Sequence, residues 1–377
     1  MFSLEQISFL IEDIFRTELV KQRRDAFAFF DTQTPVVLTD VPLLVREEAV
    51  RQVGCFLGFT PSPFNSLEEL VKQAVSAYQQ GKAVYLSTSG STGTPKLARH
   101  TEEMMLAEAK SVGAHFKTAQ RFITLTPRQH LYGLSFAVFF PSVFDIPAVP
   151  LPPLPVQPWH TLLKPGDVVA GFPLFWEYFL KAGNTFPSGV TAVTSTAPCP
   201  KGLFDRLKQA GAEKVVELYG ASETGGIGVR YSEEEPFEIN DYWQVDTTSV
   251  SPRIHRDGID GWLDFPDEVR FVPPRAIFPL KRLDAVVQVA GVNVSLKKVE
   301  QVLQSHPAVA ACRVRLMRPE EGQRLKAFIV LEKGHSEQEL PDIRQFLADK
   351  LSSHEMPRSF AFGPSLPVNA MGKASDW

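Results

Sequence analysis

Apolar positions recur at helical spacing through the first eighty residues. Leu4, Ile7, Leu10, Ile11, Ile14 and Phe15 share one face of a helix within residues 3–30. A second helix is predicted over Leu43 to Phe56 and a third from Ser66 to Gln80. Ser66 serves as N-cap of the third, Glu69 three residues on completes a capping box, and Gly81 stops it. This N-terminal region carries no polar constellation that reads as a site. The period then changes. Ala83, Val84, Tyr85 and Leu86 are consecutive, apolar and β-prone, the pattern of a short buried strand. Helical and strand segments alternate from there: a helix over His100 to Val112, strands at Arg121 to Thr126, Asp167 to Phe172, Val190 to Thr194 and Lys214 to Leu218, and helices at Phe175 to Ala182 and Gly202 to Gly211. Helices between strands are the crossovers that join parallel strands, so an α/β domain with mostly parallel sheets and flanking helices is expected. Residues 231–266 keep neither period and read as irregular, with Glu233–Glu235 a solvated turn. From Ser295 a smaller α+β pattern follows: helix Leu296 to Ser305, strands Val309 to Leu316 and Leu325 to Glu332, and helix Glu337 to Leu351.

Composition narrows the class without changing this picture. At 377 residues the chain has room for two or three domains, and 44% hydrophobic with 22% charged residues is ordinary for a soluble globular protein. A net charge of −4 argues against a nucleic-acid surface. Cys55, Cys199 and Cys312 are odd in number and far apart, which fits neither a disulfide framework nor a zinc site and suits a reducing cytoplasm. The N-terminal stretch has no basic start and carries acids within its apolar run, so it does not read as a signal peptide. No apolar run reaches the length of a membrane span, and no membrane partner is expected. The proline-dense stretch from Val149 to Pro158 reads as a stiff loop in preference to a polyproline ligand.

The chemistry concentrates in Tyr85-Leu-Ser-Thr-Ser-Gly-Ser-Thr-Gly-Thr-Pro-Lys96. Gly90 and Gly93 allow turns that a Cβ forbids and let the backbone approach a ligand. Successive N–H groups in such a turn form a concave anion site. Ser87, Thr88, Ser89, Ser91, Thr92 and Thr94 add hydroxyl donors, and Lys96 adds a positive charge. This is a loop suited to a polyphosphate, and a flexible linker is the poorer reading because an apolar strand abuts it. Lys96 is followed by Leu97, so the Walker pattern of P-loop kinases and ATPases is absent. A second constellation follows the strand at Lys214: Leu218-Tyr219-Gly220-Ala221-Ser222-Glu223-Thr224-Gly225-Gly226. Tyr219 offers a ring to stack on a base, Gly220 leaves space, Ser222 offers a hydroxyl, and Glu223 is a hard oxygen ligand suited to Mg²⁺.

Residues 87–96 resemble the phosphate loop of the adenylate-forming superfamily, the group of acyl- and aryl-CoA synthetases, nonribosomal peptide adenylation domains and luciferases. Tyr219 to Glu223 resemble the same group's Y-G-x-[TS]-E motif. The resemblance runs over nearly all of residues 80–377 and implies roles for further positions. Ser195-Thr-Ala197-Pro198 is similar to the small-residue turn against the adenine, which places Ala197 at the nucleotide. Asp267 matches the ribose-binding acid, although Phe265-Pro266 precede it where Thr-Gly is usual. Arg282 matches the arginine that reaches ribose and phosphate, with Lys281 where glycine is usual. His130, in Thr126-Pro-Arg-Gln-His130-Leu-Tyr132-Gly133, matches the His or aromatic position beside the acyl pocket, which makes Tyr132 and Phe136 pocket candidates. Asp284 matches the hinge, Gly291 the glycine that approaches the pantetheine thiol, and Lys373 the catalytic lysine near the C-terminus.

The resemblance therefore implies an adenylation core over residues 1–283 and a C-terminal lid over residues 284–377, with ATP, Mg²⁺ and CoA or a phosphopantetheine as the groups bound. It implies that a small carboxylic acid is adenylated and passed to the thiol of CoA or an acyl carrier protein. A biosynthetic aromatic acid is expected from His130, Tyr132 and the 28 phenylalanines. The segments before the phosphate loop and after Glu223 are shorter than in full-length members. Two alternatives stay open: an enzyme that makes only the adenylate, and a non-catalytic nucleotide-binding protein acting with a partner. The N-terminal helices leave a homodimer open as well.

Overall fold

A computed structural model describes residues 2–22, 36–88, 96–151, 157–249, 251–282, 286–289, 292–318, 321–322 and 324–367. Its described residues divide into two compact units, one drawn from Met1–Thr88 and Leu97–Lys281, the other from Ser89–Lys96 and Arg282–Trp377.

The larger unit begins with helices Leu4–Gln22, Leu43–Leu57 and Leu67–Gly81. The predicted apolar face of the first is buried from Ile7 on, where Ile7, Leu10, Ile11, Ile14 and Phe15 enter a core shared with Val45, Val53, Leu70 and Ala74, whereas Leu4 at the helix start is exposed. Ser66 caps the third helix as expected, its Oγ accepting from the Glu69 N–H at 3.2 Å. The Glu69 carboxylate reaches back one residue further than a capping box requires, to the Asn65 N–H at 2.8 Å. Lys82, not Gly81, takes the left-handed closing position, at φ +41°.

Strand β1 (Ala83–Thr88) pairs with β2 (Lys96–Thr101) in a two-stranded sheet. His100 therefore lies in a strand, where the sequence predicted a helix. The helix starts later, at Glu102–Gly113, with Thr101 Oγ1 accepting from the Met104 N–H at 3.2 Å. Thr101 supplies the cap and Glu102 and Glu103 fall in the first turn, where the helix dipole favours acids.

The main sheet takes in β3 (Arg121–Thr124), β4 (Ala148–Pro150), β5 (Asp167–Ala170), β6 (Thr191–Thr194), β7 (Lys214–Ala221), β8 (Gly225–Arg230) and β9 (Phe237–Ile239). Residues 231–266, expected to be irregular, also hold a small sheet of β10 (Gln244–Asp246), β11 (Arg253–His255) and β12 (Leu263–Asp264). Strands of two or three residues are too short to show a period in sequence. With β13 (Asp267–Val272) and β14 (Ala276–Arg282), the main sheet has nine strands in the order β13-β14-β9-β8-β7-β6-β5-β3-β4. Neighbours from β4 through β7 are parallel, and β8, β9 and β14 then run antiparallel in turn. All four residues of β5 are buried, the signature of a parallel strand covered on both faces. The aromatic content belongs largely to the cores. Phe116, Phe122, Phe136 and Phe140 pack in one cluster, and Trp159, Phe175, Trp176, Phe179 and Phe186 in a second.

The smaller unit pairs β15 (Val286–Val289) with β16 (Val292–Ser295), then runs into helix Leu296–Gln304, capped by Ser295 Oγ accepting from the Lys298 N–H at 3.2 Å. Strands β17 (Val309–Leu316), β18 (Leu325–Leu331) and β19 (Ser359–Phe362) form one sheet, β17 antiparallel and β19 parallel to β18. Helix Leu340–Ala348 contributes Ile343 and Leu347 to a core with Val299, Leu303, Leu325 and Ile329. Among the described residues no helix is long and apolar enough to cross a membrane.

Candidate active site

Because β3, β5, β6 and β7 are parallel neighbours, their carboxyl ends form one edge, the usual place for a ligand crevice in such sheets. The candidate residues that the structure describes cluster there. Beyond β6 the chain turns through Ser195–Ala197, with Thr196 at φ +74° and the Ser195 hydroxyl donating to the Leu218 carbonyl at 2.8 Å. Beyond β5, the Tyr132 hydroxyl donates to the Gly171 carbonyl at 3.0 Å and approaches that of Val193 at 3.3 Å. Burial pushes the Tyr132 phenol well above its usual range, so it stays a protonated donor. Tyr132 thus ties two strand ends together, and Phe136 is fully buried in the core. His130 is exposed and stands at the N-cap position of the short helix that carries Tyr132, without a capping bond from its side chain. Its loop is braced by the first helix, where Asp13 Oδ2 accepts from the Arg128 N–H at 2.9 Å and the Phe9 carbonyl accepts from Arg128 Nη1 at 3.2 Å.

Tyr219 and Asp267 meet directly. The Tyr219 hydroxyl donates to Asp267 Oδ2 at 2.5 Å, with Asp267 itself 7% exposed. The Tyr219 ring is half-buried against Phe237, centroids 5.3 Å apart. Chain separation hid this pair, since the two are 48 positions apart. At Gly220 a Cβ would stand 2.2 Å from the Gly225 carbonyl oxygen, so the close return of β8 against β7 requires glycine there.

Between these strands the chain turns at Ala221–Gly225. Thr224 is buried and closes the turn, its Oγ1 accepting from the Ala221 N–H at 3.1 Å. Glu223 is exposed at the tip, and among the described residues no side chain pairs with its carboxylate. The same residues hold no cluster of three acids, histidines or cysteines able to cage a metal. One open carboxylate is the donor set that Mg²⁺ takes when phosphate oxygens and water complete its shell, so Glu223 fits that ion.

Beneath the turn lies a buried polar network that the sequence did not reveal. The Gly226 carbonyl accepts from Trp243 Nε1 at 2.9 Å, from Asn240 Nδ2 at 3.3 Å and from the Tyr242 hydroxyl. The Gly226 N–H donates to Glu108 Oε2 at 3.1 Å, and the Arg256 guanidinium lies 3.7 Å from that carboxylate and 4.2 Å over the Tyr242 ring. Burial drives the Glu108 carboxyl upward against the opposing pull of Arg256. The signal for Glu108 was present in sequence: it shares the buried helix face of Met104, Met105, Ala109 and Val112.

Ser89, Gly90, Ser91, Thr92, Gly93, Thr94, Asp284, Gly291 and Lys373 lie outside the described residues, as do the side chains of Ser87, Thr88, Lys96 and Arg282.

Comparison with known proteins adds a separate line of evidence. Residues 26–251 match the family described as AMP-binding enzyme, and residues 298–373 match the AMP-binding enzyme C-terminal domain. The chain is 33% identical over 309 residues to a 4-coumarate–CoA ligase of Halorhodospira halophila, covering 81% of this chain and 78% of that protein. It is 34% identical over 300 residues to a 4-coumarate–CoA ligase of Rhodobacter capsulatus, covering 77% and 74%. Among solved structures, o-succinylbenzoate CoA synthetase from Bacillus subtilis superposes with TM-score 0.63 at 21% identity, covering 77% of this chain and 67% of that one, a likeness of fold.

Proposed function

The chain belongs to the AMP-binding enzyme family and is an AMP-forming acid–thiol ligase, and on that premise we propose that it activates a small aromatic carboxylic acid. The carboxylate oxygen attacks the α-phosphorus of ATP, the bond to the β-phosphate bridging oxygen breaks, and acyl-AMP and pyrophosphate result. A thiol sulfur then attacks the acyl carbon, the bond to AMP breaks, and the thiol proton leaves to solvent. The thiol is that of CoA, with the phosphopantetheine of a carrier protein as the competing acceptor.

One observation carries the nucleotide half: Ala197, Tyr219–Glu223 and Asp267 converge on one sheet edge, with Tyr219 and Asp267 in contact. In this reading the Tyr219 ring stacks on adenine beside Ala197 and Gly220. Asp267 accepts hydrogen bonds from the ribose diol, which suits a carboxylate with several acceptor positions. Ser222 reaches the α-phosphate. Glu223 holds Mg²⁺, which when bound neutralises phosphate charge. Residues 87–94 and Lys96 hold the departing pyrophosphate, Arg282 reaches ribose and phosphate, and Lys373 meets the charge that builds between carboxylate and phosphate. Asp284 acts as the hinge between residues 1–283 and 284–377, and Gly291 lines the thiol path in the second step. This is catalysis by positioning and charge neutralisation.

The aromatic acid is supported by the two relatives named for 4-coumarate and by His130, which is exposed beside Tyr132. The abundance of phenylalanine no longer supports it, since those rings are largely in the cores. Pyrophosphate release measured over cinnamates, hydroxybenzoates and saturated fatty acids tests the reading, with mass spectrometry of products after CoA or a holo-carrier protein is added. Release led by cinnamates or benzoates is expected, with Lys373→Ala abolishing most of it. Release led by saturated chains would overturn the aromatic assignment.

A further inference from the structure

The acid assigned to the metal sits at the tip of a turn, and buried side chains grip the turn's backbone on both sides of it. On one side is His100, 1% exposed, whose Nε2 lies 2.6 Å from the Ser222 carbonyl oxygen. A carbonyl only accepts, so this nitrogen carries the proton and donates. On the other side Glu108 Oε2 accepts from the Gly226 N–H at 3.1 Å, with Arg256 2% exposed beside it. Arg256 is fixed in turn, its Nη2 donating to the Met104 carbonyl at 2.6 Å. The two grips fall one residue before and three residues after Glu223. Between them Gly225 stands at φ +83°, where a Cβ would come within 2.5 Å of Glu108 Oε2. Backbone and carboxylate are thus fitted against each other with no slack. Burying a histidine, a glutamate and an arginine is costly unless each is bonded, and these bonds are directed at the backbone of one exposed turn.

We propose that His100 and Glu108 form a two-point clamp that sets the position of the Glu223 carboxylate, which makes them positioning residues for the metal–nucleotide complex. The proposal rests on Glu223 as the magnesium ligand. The clamp acts as outer contacts do around a metal: it does not touch the ion, and it fixes the ligand that does.

Calorimetric binding of ATP with excess EDTA and with excess Mg²⁺ gives the gain in affinity due to the metal without any turnover. In His100→Ala and in Glu108→Leu that gain falls about tenfold, the scale of outer-contact losses at metal sites, while binding in EDTA is unchanged. Hydrogen exchange over residues 221–226 speeds up in the same variants. His100→Gln, whose side-chain amide can donate to the Ser222 carbonyl, restores the gain. In a Glu223→Ala background His100→Ala removes nothing further, because both act on one element. A wild-type gain in either folded single variant overturns the two-point clamp. A wild-type gain in Glu223→Ala overturns instead the ligand assignment beneath it. Should His100→Ala not fold, His100→Leu, of closer volume, takes its place: a reduced gain supports the clamp and a wild-type gain overturns it.

Discussion

At the scale of single residues, the contact between Tyr219 and Asp267 separates two jobs that one side chain performs. The ring, half-buried against Phe237, is the part assigned to stacking, while the hydroxyl holds a nearly buried carboxylate oxygen at 2.5 Å. Tyr219→Phe keeps the ring and removes only the donor. A hydrogen bond to a charged acceptor contributes roughly 1.5–3 kcal/mol, and part of that returns through water at this half-open position. ATP is expected to bind about tenfold more weakly, on the basis that about 1.4 kcal/mol is one decade. The preference for ATP over 2′-deoxy-ATP should shrink with it, since a loosened carboxylate reads the ribose less well. Calorimetric affinities for both nucleotides check this, and an unchanged preference would mean that Tyr219 does not orient Asp267.

His100 makes a second residue-level prediction. Burial holds its imidazole down to about 4, from the ordinary 6.5. The unfolded chain therefore takes a proton first, and the folded state resists it. Stability from this group is complete above the ordinary value and is lost as pH falls through the window between 6.5 and about 4. Between about pH 7.5 and about pH 5 the loss is on the order of 2 kcal/mol. Urea midpoints at those pH values should drop less in His100→Gln, which has nothing to titrate. Equal drops in both proteins would show that His100 is not held neutral.

At the scale of elements, the chain was legible wherever a period had room to repeat. The three N-terminal helices, the crossover helices and the small α+β unit follow their apolar spacing, and Ser66 and Ser295 cap as their chemistry dictates. What could not be read was made by pairing. Strand β2 exists because β1 lies beside it, and β9 to β12 are too short to carry a pattern. The same holds for the site. Tyr219, Gly220 and Glu223 were visible as a local motif, whereas Glu108 and Arg256 are brought to it from distant segments by the fold. The turn from β7 to β8 shows how an element depends on one atom. In Gly220→Ala the new Cβ would lie 2.2 Å from a backbone oxygen that cannot swing aside, so the hairpin must open. Overcrowding of this kind costs about 1–3 kcal/mol, and the displaced turn should remove most acid-dependent pyrophosphate release. Gly81→Ala is the control. Nothing lies within 4 Å of a Cβ there, and alanine in a helix is favoured by roughly 0.5–1 kcal/mol. Thermal melts of the two variants should move in opposite directions.

At the scale of the molecule, two compact units hold separate hydrophobic cores, and the tryptophans among the described residues all lie in the larger one. Trp159, Trp176 and Trp243 are buried in the larger unit and Trp262 is partly exposed in it, while Trp377 lies outside the described residues. The core of Val299, Leu303, Leu325, Ile329, Ile343 and Leu347 has none. In a Trp377→Phe background, used for all the curves below, tryptophan emission therefore follows the larger unit, whereas far-ultraviolet circular dichroism sums the helices and strands of both. A chain with two cores is not bound to unfold in one step, so the two signals should part along a urea titration. Leu303→Ala supplies the decisive comparison. Removing a fully buried leucine costs about 2–5 kcal/mol in its own core, and Leu303 belongs to the smaller unit's core. The circular-dichroism curve should gain an early step at lower urea while the emission midpoint stays in place. If both curves shift together, the two cores unfold as one cooperative body and the division at Lys281 is geometric without being energetic.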